Sequence, residues 1–294
     1  MTGELAALGT SLCWAASALA GAAGAARVGT LAYNLARLAL GFVLLAAVGV
    51  LLPGRPWLGD LPASGLGWLI VSGVVGFFLG DLALFRALAL IGARRAMLVM
   101  CLWPLLAAAL EWLWLGRALH AGELVGVVLT IGGIAWVVTQ RRDGGAGAAN
   151  TRGVLLAVLG AVGQAVGYVL AQPALALPSC HPVAATELRI LAGLAGFVAL
   201  ALATGGWRAL AGLRRPTTLG ITAIGAGFGP CLGVTLSLVP LHLGVATGVA
   251  GALASLTPVL LLPWARWVQR EPVGWRAVLG AVAAVSGVAV VLLL

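Results

Sequence analysis

The chain has 294 residues, of which 62% are hydrophobic and 9% charged, with a formal net charge of +9. A soluble domain carries roughly 25% charged residues, so water is not the main solvent of this chain and a soluble fold is excluded. All 17 basic residues are Arg, and the lack of Lys excludes a P-loop ATPase and a cofactor Schiff base, both of which require one.

Apolar runs between turn signals predict ten helices, at 5–25, 31–52, 64–86, 93–115, 123–140, 152–173, 183–204, 217–239, 244–264 and 274–294. Each is about 18 to 24 residues, enough at 1.5 Å per residue to cross roughly 30 Å of hydrocarbon. Strand-like alternation is absent, which excludes a β-barrel. The first run ends in Ala23-Gly24-Ala25-Ala26, like a signal-peptide cleavage region, but Glu4 and no basic residue precede it, so it is expected to be a retained helix. Connectors such as Pro53-Gly54-Arg55-Pro56, Pro178 to Pro182 and Leu213 to Pro216 are turn chemistry. Arg141 to Arg152, with Asp143-Gly144-Gly145-Ala146-Gly147, reads as the one flexible linker.

The sequence repeats itself across that linker. Adding 154 to Pro104, Gly126 and Gly133 gives Pro258, Gly280 and Gly287, and adding 152 to Arg37 and Gly41 gives Arg189 and Gly193. The expected architecture is therefore an all-α integral membrane protein of two five-helix copies, residues 1–146 and 147–294. An odd number of crossings places the second copy upside down. Gly76 with Gly80, Gly163 with Gly167, and Gly225 with Gly229 and Gly233 are small-xxx-small pairs that let helices approach closely in lipid.

A charge at mid-bilayer costs about 2.5–3.5 kcal/mol on insertion scales, so charges inside the spans are expected to turn inward and pair. They are Arg37, Asp81, Arg86, Glu111, Glu187 and Arg189. Asp81 is the deepest carboxylate and is expected to face Arg37, either as a locking ion pair or as a proton or amine site. Glu187 and Arg189, at the start of the seventh run, and Glu111, near the end of the fourth, are close enough to the interface to be expected to snorkel to it. Trp14, Trp103, Gln164, Tyr168 and Thr257, with Arg37, Asp81 and Arg189, are the candidate substrate-binding residues. Trp103-Pro104 and Thr257-Pro258 are equivalent across the repeat, where Pro frees a carbonyl and permits a kink, so Pro104 and Pro258 are candidate gating positions. By the same count Asp81 corresponds to Thr235. Trp57, Trp68, Trp112, Trp114, Trp207, Trp264, Trp267 and Trp275 lie near span ends as interfacial anchors.

Cys13, Cys101, Cys180 and Cys231 are far apart, and no catalytic or metal-ligating motif occurs, so no enzyme activity, cofactor or metal is expected. His120, His181 and His242 fall in even-numbered connections, on one side of the membrane. The scattered arginines form no stripe for nucleic acid.

Gly80-Asp81, Ala87-Leu88, Ile91-Gly92-Ala93, Arg95-Ala96 and Pro104, then Thr257-Pro258, Arg270-Glu271-Pro272, Gly280 and Gly287, resemble the EamA-type transporters of the drug/metabolite transporter superfamily over nearly the whole chain. Arg37 and Arg189 match that family's second-helix and seventh-helix arginines, whereas Arg117 replaces an acidic residue of its first half. The resemblance implies secondary active transport by alternating access, exporting small metabolites, amino acids or drugs across a bacterial cytoplasmic (inner) membrane. Its partners would be a small-molecule substrate and the lipid bilayer, with protons a candidate coupling ion. An importer or exchanger of sugar-phosphate-like solutes is the alternative within transport; a membrane scaffold or an intramembrane enzyme is the alternative outside it. The family pattern implies both termini inside, but twelve arginines in odd connections against Arg55 and Arg117 in even ones favour termini outside.

Overall fold

The computed structural model describes residues 2–51, 61–116, 120–139, 151–257, 259–261 and scattered positions between 275 and 290. Six helices in it are long and apolar enough to span a bilayer: α1 (Thr2–Val28), α2 (Thr30–Leu51), α3 (Ala63–Ala93), α6 (Thr151–Leu175), α7 (Pro182–Thr204) and α8 (Pro216–His242). The shorter α4 (Trp103–Leu115), α5 (Ala121–Thr139) and α9 (Thr247–Ala254) join them among the described residues. No strand occurs among the described residues. The predicted tenth helix, 274–294, falls largely outside them, as do the linker and Pro258.

Two irregularities recur in both halves. A π-helical turn interrupts α3 at Val74–Gly80 and α8 at Gly227–Gly233, a spacing of 153 in sequence. Such a turn adds a residue to the helical repeat and re-aims the side chains beyond it. The predicted fourth helix, 93–115, is broken by a turn at Cys101 and Leu102, and the predicted ninth, 244–264, by a turn at Ser255 and Leu256. Pro104 explains the first break: its ring would clash with the carbonyl four residues back, so it fits near the start of a new helix, which it occupies in α4. The two breaks meet, with Cys101 Sγ 4.0 Å from the Ser255 carbonyl oxygen. Gly92 (φ 79°) and Gly244 (φ 81°), 152 apart, make the turns that enter these broken helices in a left-handed conformation open to Gly.

The copies interlock rather than lie side by side. α3 of the first copy runs along α6 and against α7, while α8 of the second runs along α1 and against α2; α2 meets α7, and α4 meets α9. This reciprocity is what a two-fold axis between the copies produces. The outer faces carry Leu12, Val43, Leu51 and Leu202 toward lipid. Trp112, Trp207 and Trp275 are exposed as anchors, and Trp68 packs edge-on against Trp114 at 5.3 Å.

Glycines make the closest of these contacts. A Cβ on Gly163 would stand 2.7 Å from Gly80 Cα, and one on Gly167 2.9 Å from Gly76 Cα. Ser72 Oγ donates to the Gly167 carbonyl at 2.5 Å across the same seam. Backbone cannot yield as a side-chain tip does, so Gly163→Ala is expected to cost about 1–3 kcal/mol, the range for overpacking. Gly67→Ala and Gly220→Ala, where nothing lies within 4 Å, are expected to stay within about 0.5 kcal/mol of wild type. Thermal unfolding of the purified protein checks the contrast.

Candidate functional site

Each copy sends one arginine inward from its second helix, and the two meet different fates. Arg37 of α2 is 3% exposed and ion-paired with Asp81, which follows the π turn of α3. Its Nε and Nη2 also donate to Asn34 Oδ1, one turn earlier on α2, at 3.3 and 3.0 Å. The guanidinium lies 4.5 Å from the Phe85 ring centre. The expected pairing of Asp81 with Arg37 is therefore present.

Arg189 of α7 does not snorkel to the interface; it is 1% exposed and turned into the bundle, where it lines a cavity. Its guanidinium sits 4.8 Å from the Tyr168 ring centre and 5.4 Å from that of Phe77. No carboxylate is paired with it among the described residues, and Nε and Nη1 have no hydrogen-bond partner among them. The π turns set the register that explains the difference: Asp81 follows the first turn directly, and Val234 follows the second. Val234, not Thr235, is thus the structural counterpart of Asp81. Gly76 and Gly229 give the two arginines room, since a Cβ would lie 3.3 Å from Arg189 Nη2 and 3.1 Å from Arg37 Nη1 respectively.

Between these arginines is a cavity of about 70 Å³, lined by Trp14, Ser17, Arg37, Asp81, Gln164, Tyr168 and Arg189, with Phe77, Phe85 and Leu88 among its apolar walls. Six of the eight predicted binding residues therefore share one space, contributed by both copies. Trp103 and Thr257 do not line it. They border a side cavity of about 10 Å³ that shares Trp14, Met97 and Met100 with the main one. The Thr257 hydroxyl is 3.1 Å from both the Ser11 and the Ala254 carbonyls. Pro104 is buried at the start of α4.

The cavity extends toward Leu88 and Met97, the end of the bundle with the odd-numbered connections. On its other side Trp14 and Tyr168 form an aromatic floor backed by Trp103, the three ring centres lying 5.2 to 6.5 Å apart. The Tyr168 hydroxyl is hydrogen-bonded to Ser237, a contact the sequence did not single out.

Beyond the floor lies a second unforeseen cluster. Glu111 does not snorkel; it is 1% exposed. Its carboxylate accepts from Thr247 N at 3.1 and 2.9 Å, Thr247 Oγ1 at 2.7 Å and Gln172 Nε2 at 3.0 Å. An anion at the first turn of α9 satisfies amides that the helix leaves open and complements its dipole. Glu111 so ties α4, α6 and α9 together. Two histidines contact backbone: His181 Nδ1 accepts from Val183 N at 3.2 Å to cap α7, and His242 Nδ1 lies 3.1 Å from the Leu175 carbonyl. Burial first, then the neighbouring His242, holds the His181 imidazole below its ordinary pKa. Among the described residues no group of His, Cys, Asp and Glu is arranged to hold a metal.

A model of the EamA-like transporter family matches residues 1–139 and again 151–293. A protein of known crystal structure is similar over 98% of this chain and 94% of its own, with a TM-score of 0.71 and 22% identity, which supports the fold alone. No curated protein matches the chain.

Proposed function

The chain belongs to the EamA-like transporter family of multi-pass membrane transporters, and on that premise we propose that it is a secondary active exporter of small solutes working by alternating access. The observation that carries this reading is the cavity itself. Both copies supply its polar lining, and its walls reach Leu88 and Met97 on one side, while an aromatic floor and the Glu111 cluster lie on the other. Two interlocked copies can exchange the closed and open ends by rocking against each other about the glycine seams. The cavity side is also the end carrying Arg27, Arg95, Arg152, Arg208, Arg214 and Arg215. By the positive-inside rule this favours a cytoplasmic mouth, hence capture of a cytoplasmic solute in a bacterial inner membrane. Asp81, the one carboxylate in the described lining, is the candidate site for a coupling proton.

The test is solute uptake into proteoliposomes across a panel of labelled metabolites and drugs under an imposed proton gradient. Saturable uptake is expected for at least one solute, and Gln164→Trp, which fills the cavity, is expected to abolish it while the protein still folds. Wild-type uptake by that variant would overturn the assignment of the cavity.

A further inference from the structure

We infer that Arg189 is an anion-binding residue and that the cavity takes a small monocarboxylate with an apolar body; this rests on the transporter reading for the cavity's purpose but not for its chemistry. The charged groups in the described lining are Arg37, Asp81 and Arg189. Arg37 and Asp81 neutralise each other as an ion pair. Arg189 leaves the cavity with one net positive charge, on a guanidinium that is 1% exposed and has two nitrogens without a partner among the described residues.

Each feature narrows the ligand. A buried charge lacking a counterion is expensive, and guanidinium donors are matched to carboxylate oxygens. Arg189 stacks against Tyr168 and Phe77 and hydrogen-bonds the Tyr168 hydroxyl, which orients the group but leaves Nε and Nη1 without a partner among the described residues. One negative charge closes the balance. A phosphate dianion would overshoot it in a low-dielectric space, and a free cation would add to the excess. A zwitterion needs a second, acidic partner for its ammonium, and Asp81 is already taken by Arg37. About 70 Å³, at roughly 10–15 Å³ per water-sized centre, holds on the order of five such centres, which sets a small ligand. The rings of Trp14, Phe77, Phe85 and Tyr168 in the wall suit an apolar body beside the charged head.

The test is direct binding to the full-length protein in lipid nanodiscs, read by quenching of intrinsic Trp fluorescence, since Trp14 lines the cavity. Benzoate, benzylamine, phenylalanine and phenyl phosphate serve as probes, with empty nanodiscs to subtract partitioning. Benzoate is expected to bind wild type at least tenfold more tightly than the other three, a comparison that needs no variant. Arg189→Gln is expected to weaken benzoate binding at least tenfold, and Arg189→Lys, which keeps the charge, to recover part of it. Benzoate binding no tighter than benzylamine or phenylalanine, or equal in Arg189→Gln and wild type, overturns the inference. Benzoate bound at Arg189 but carried by no flux assay would instead contradict the transporter reading and leave the site standing.

Discussion

Asp81→Asn is expected to destabilise the folded protein by about 3–5 kcal/mol, the range for removing one partner of a buried ion pair. The loss should fall toward the lower end, because Asp81 borders the cavity and water there relieves part of the charge left on Arg37. Arg37 would keep its bonds to the Asn34 amide oxygen and its place beside Phe85, but no anion. The double variant Arg37→Met with Asp81→Leu removes both charges and is expected to recover most of the loss. The second copy supplies the control. Arg189→Gln removes a buried charge that has no counterion, so it is expected to leave stability unchanged or to raise it. Removing one buried charge should therefore have opposite effects in the two copies, and thermal unfolding of wild type and the three variants reads the contrast. Asp81→Asn unfolding like wild type would contradict the pairing. Transport by Asp81→Asn is further expected to lose its dependence on pH; retained dependence would move the coupling proton elsewhere.

Glu111→Ala is expected to loosen the end of the bundle that the aromatic floor closes. The carboxylate satisfies the Thr247 amide, the Thr247 hydroxyl and the Gln172 side chain. Each buried donor left without an acceptor costs about 1–3 kcal/mol, and α9, only eight residues long, has little helix to hold it otherwise. Hydrogen exchange at the first-turn amides of α9 is expected to rise at least tenfold in Glu111→Ala and less in Glu111→Gln, whose amide oxygen still accepts. If exchange there is unchanged, Glu111 does not fasten this end. Glu111 corresponds by the repeat spacing to Ala265, so this clasp belongs to one copy's sequence. The asymmetry fits a bundle whose two ends are held shut by different chemistry.

Much of this was legible in the residues. The duplicated Pro, Gly and Arg positions gave the two-copy organisation, because a repeat conserves the residues whose backbone or charge has no substitute. The cost of a charge in lipid pointed Asp81 at Arg37, and the depth of Trp14, Gln164 and Tyr168 in their spans, with the repeat position of Arg189, marked them as candidates for a shared interior. What escaped was local geometry. No composition marks the π turns at Val74–Gly80 and Gly227–Gly233, yet they fix Val234 rather than Thr235 opposite Asp81. The breaks at Cys101 and Ser255 lie inside continuous apolar runs, where hydropathy sees one helix. Gly92 and Gly244, spaced like the paired arginines, were an available signal for the turns before them. Glu111 was misplaced because position near a helix end does not reveal whether a second helix begins beside it; burial there depends on α9 arriving from the other copy.

Alternating access requires that the one cavity between the interlocked copies open to one side of the membrane at a time. Ser17 lines that cavity, and the four native cysteines are buried and supply a low background. The decisive measurement is the reaction of Ser17→Cys with a membrane-impermeant thiol reagent added to one face of sealed vesicles and then to the other. Reaction from a single face in wild-type background, with reactivity gained from the opposite face when Glu111→Ala is added, is the predicted result. Reaction from both faces at once, or from neither in both backgrounds, would contradict it.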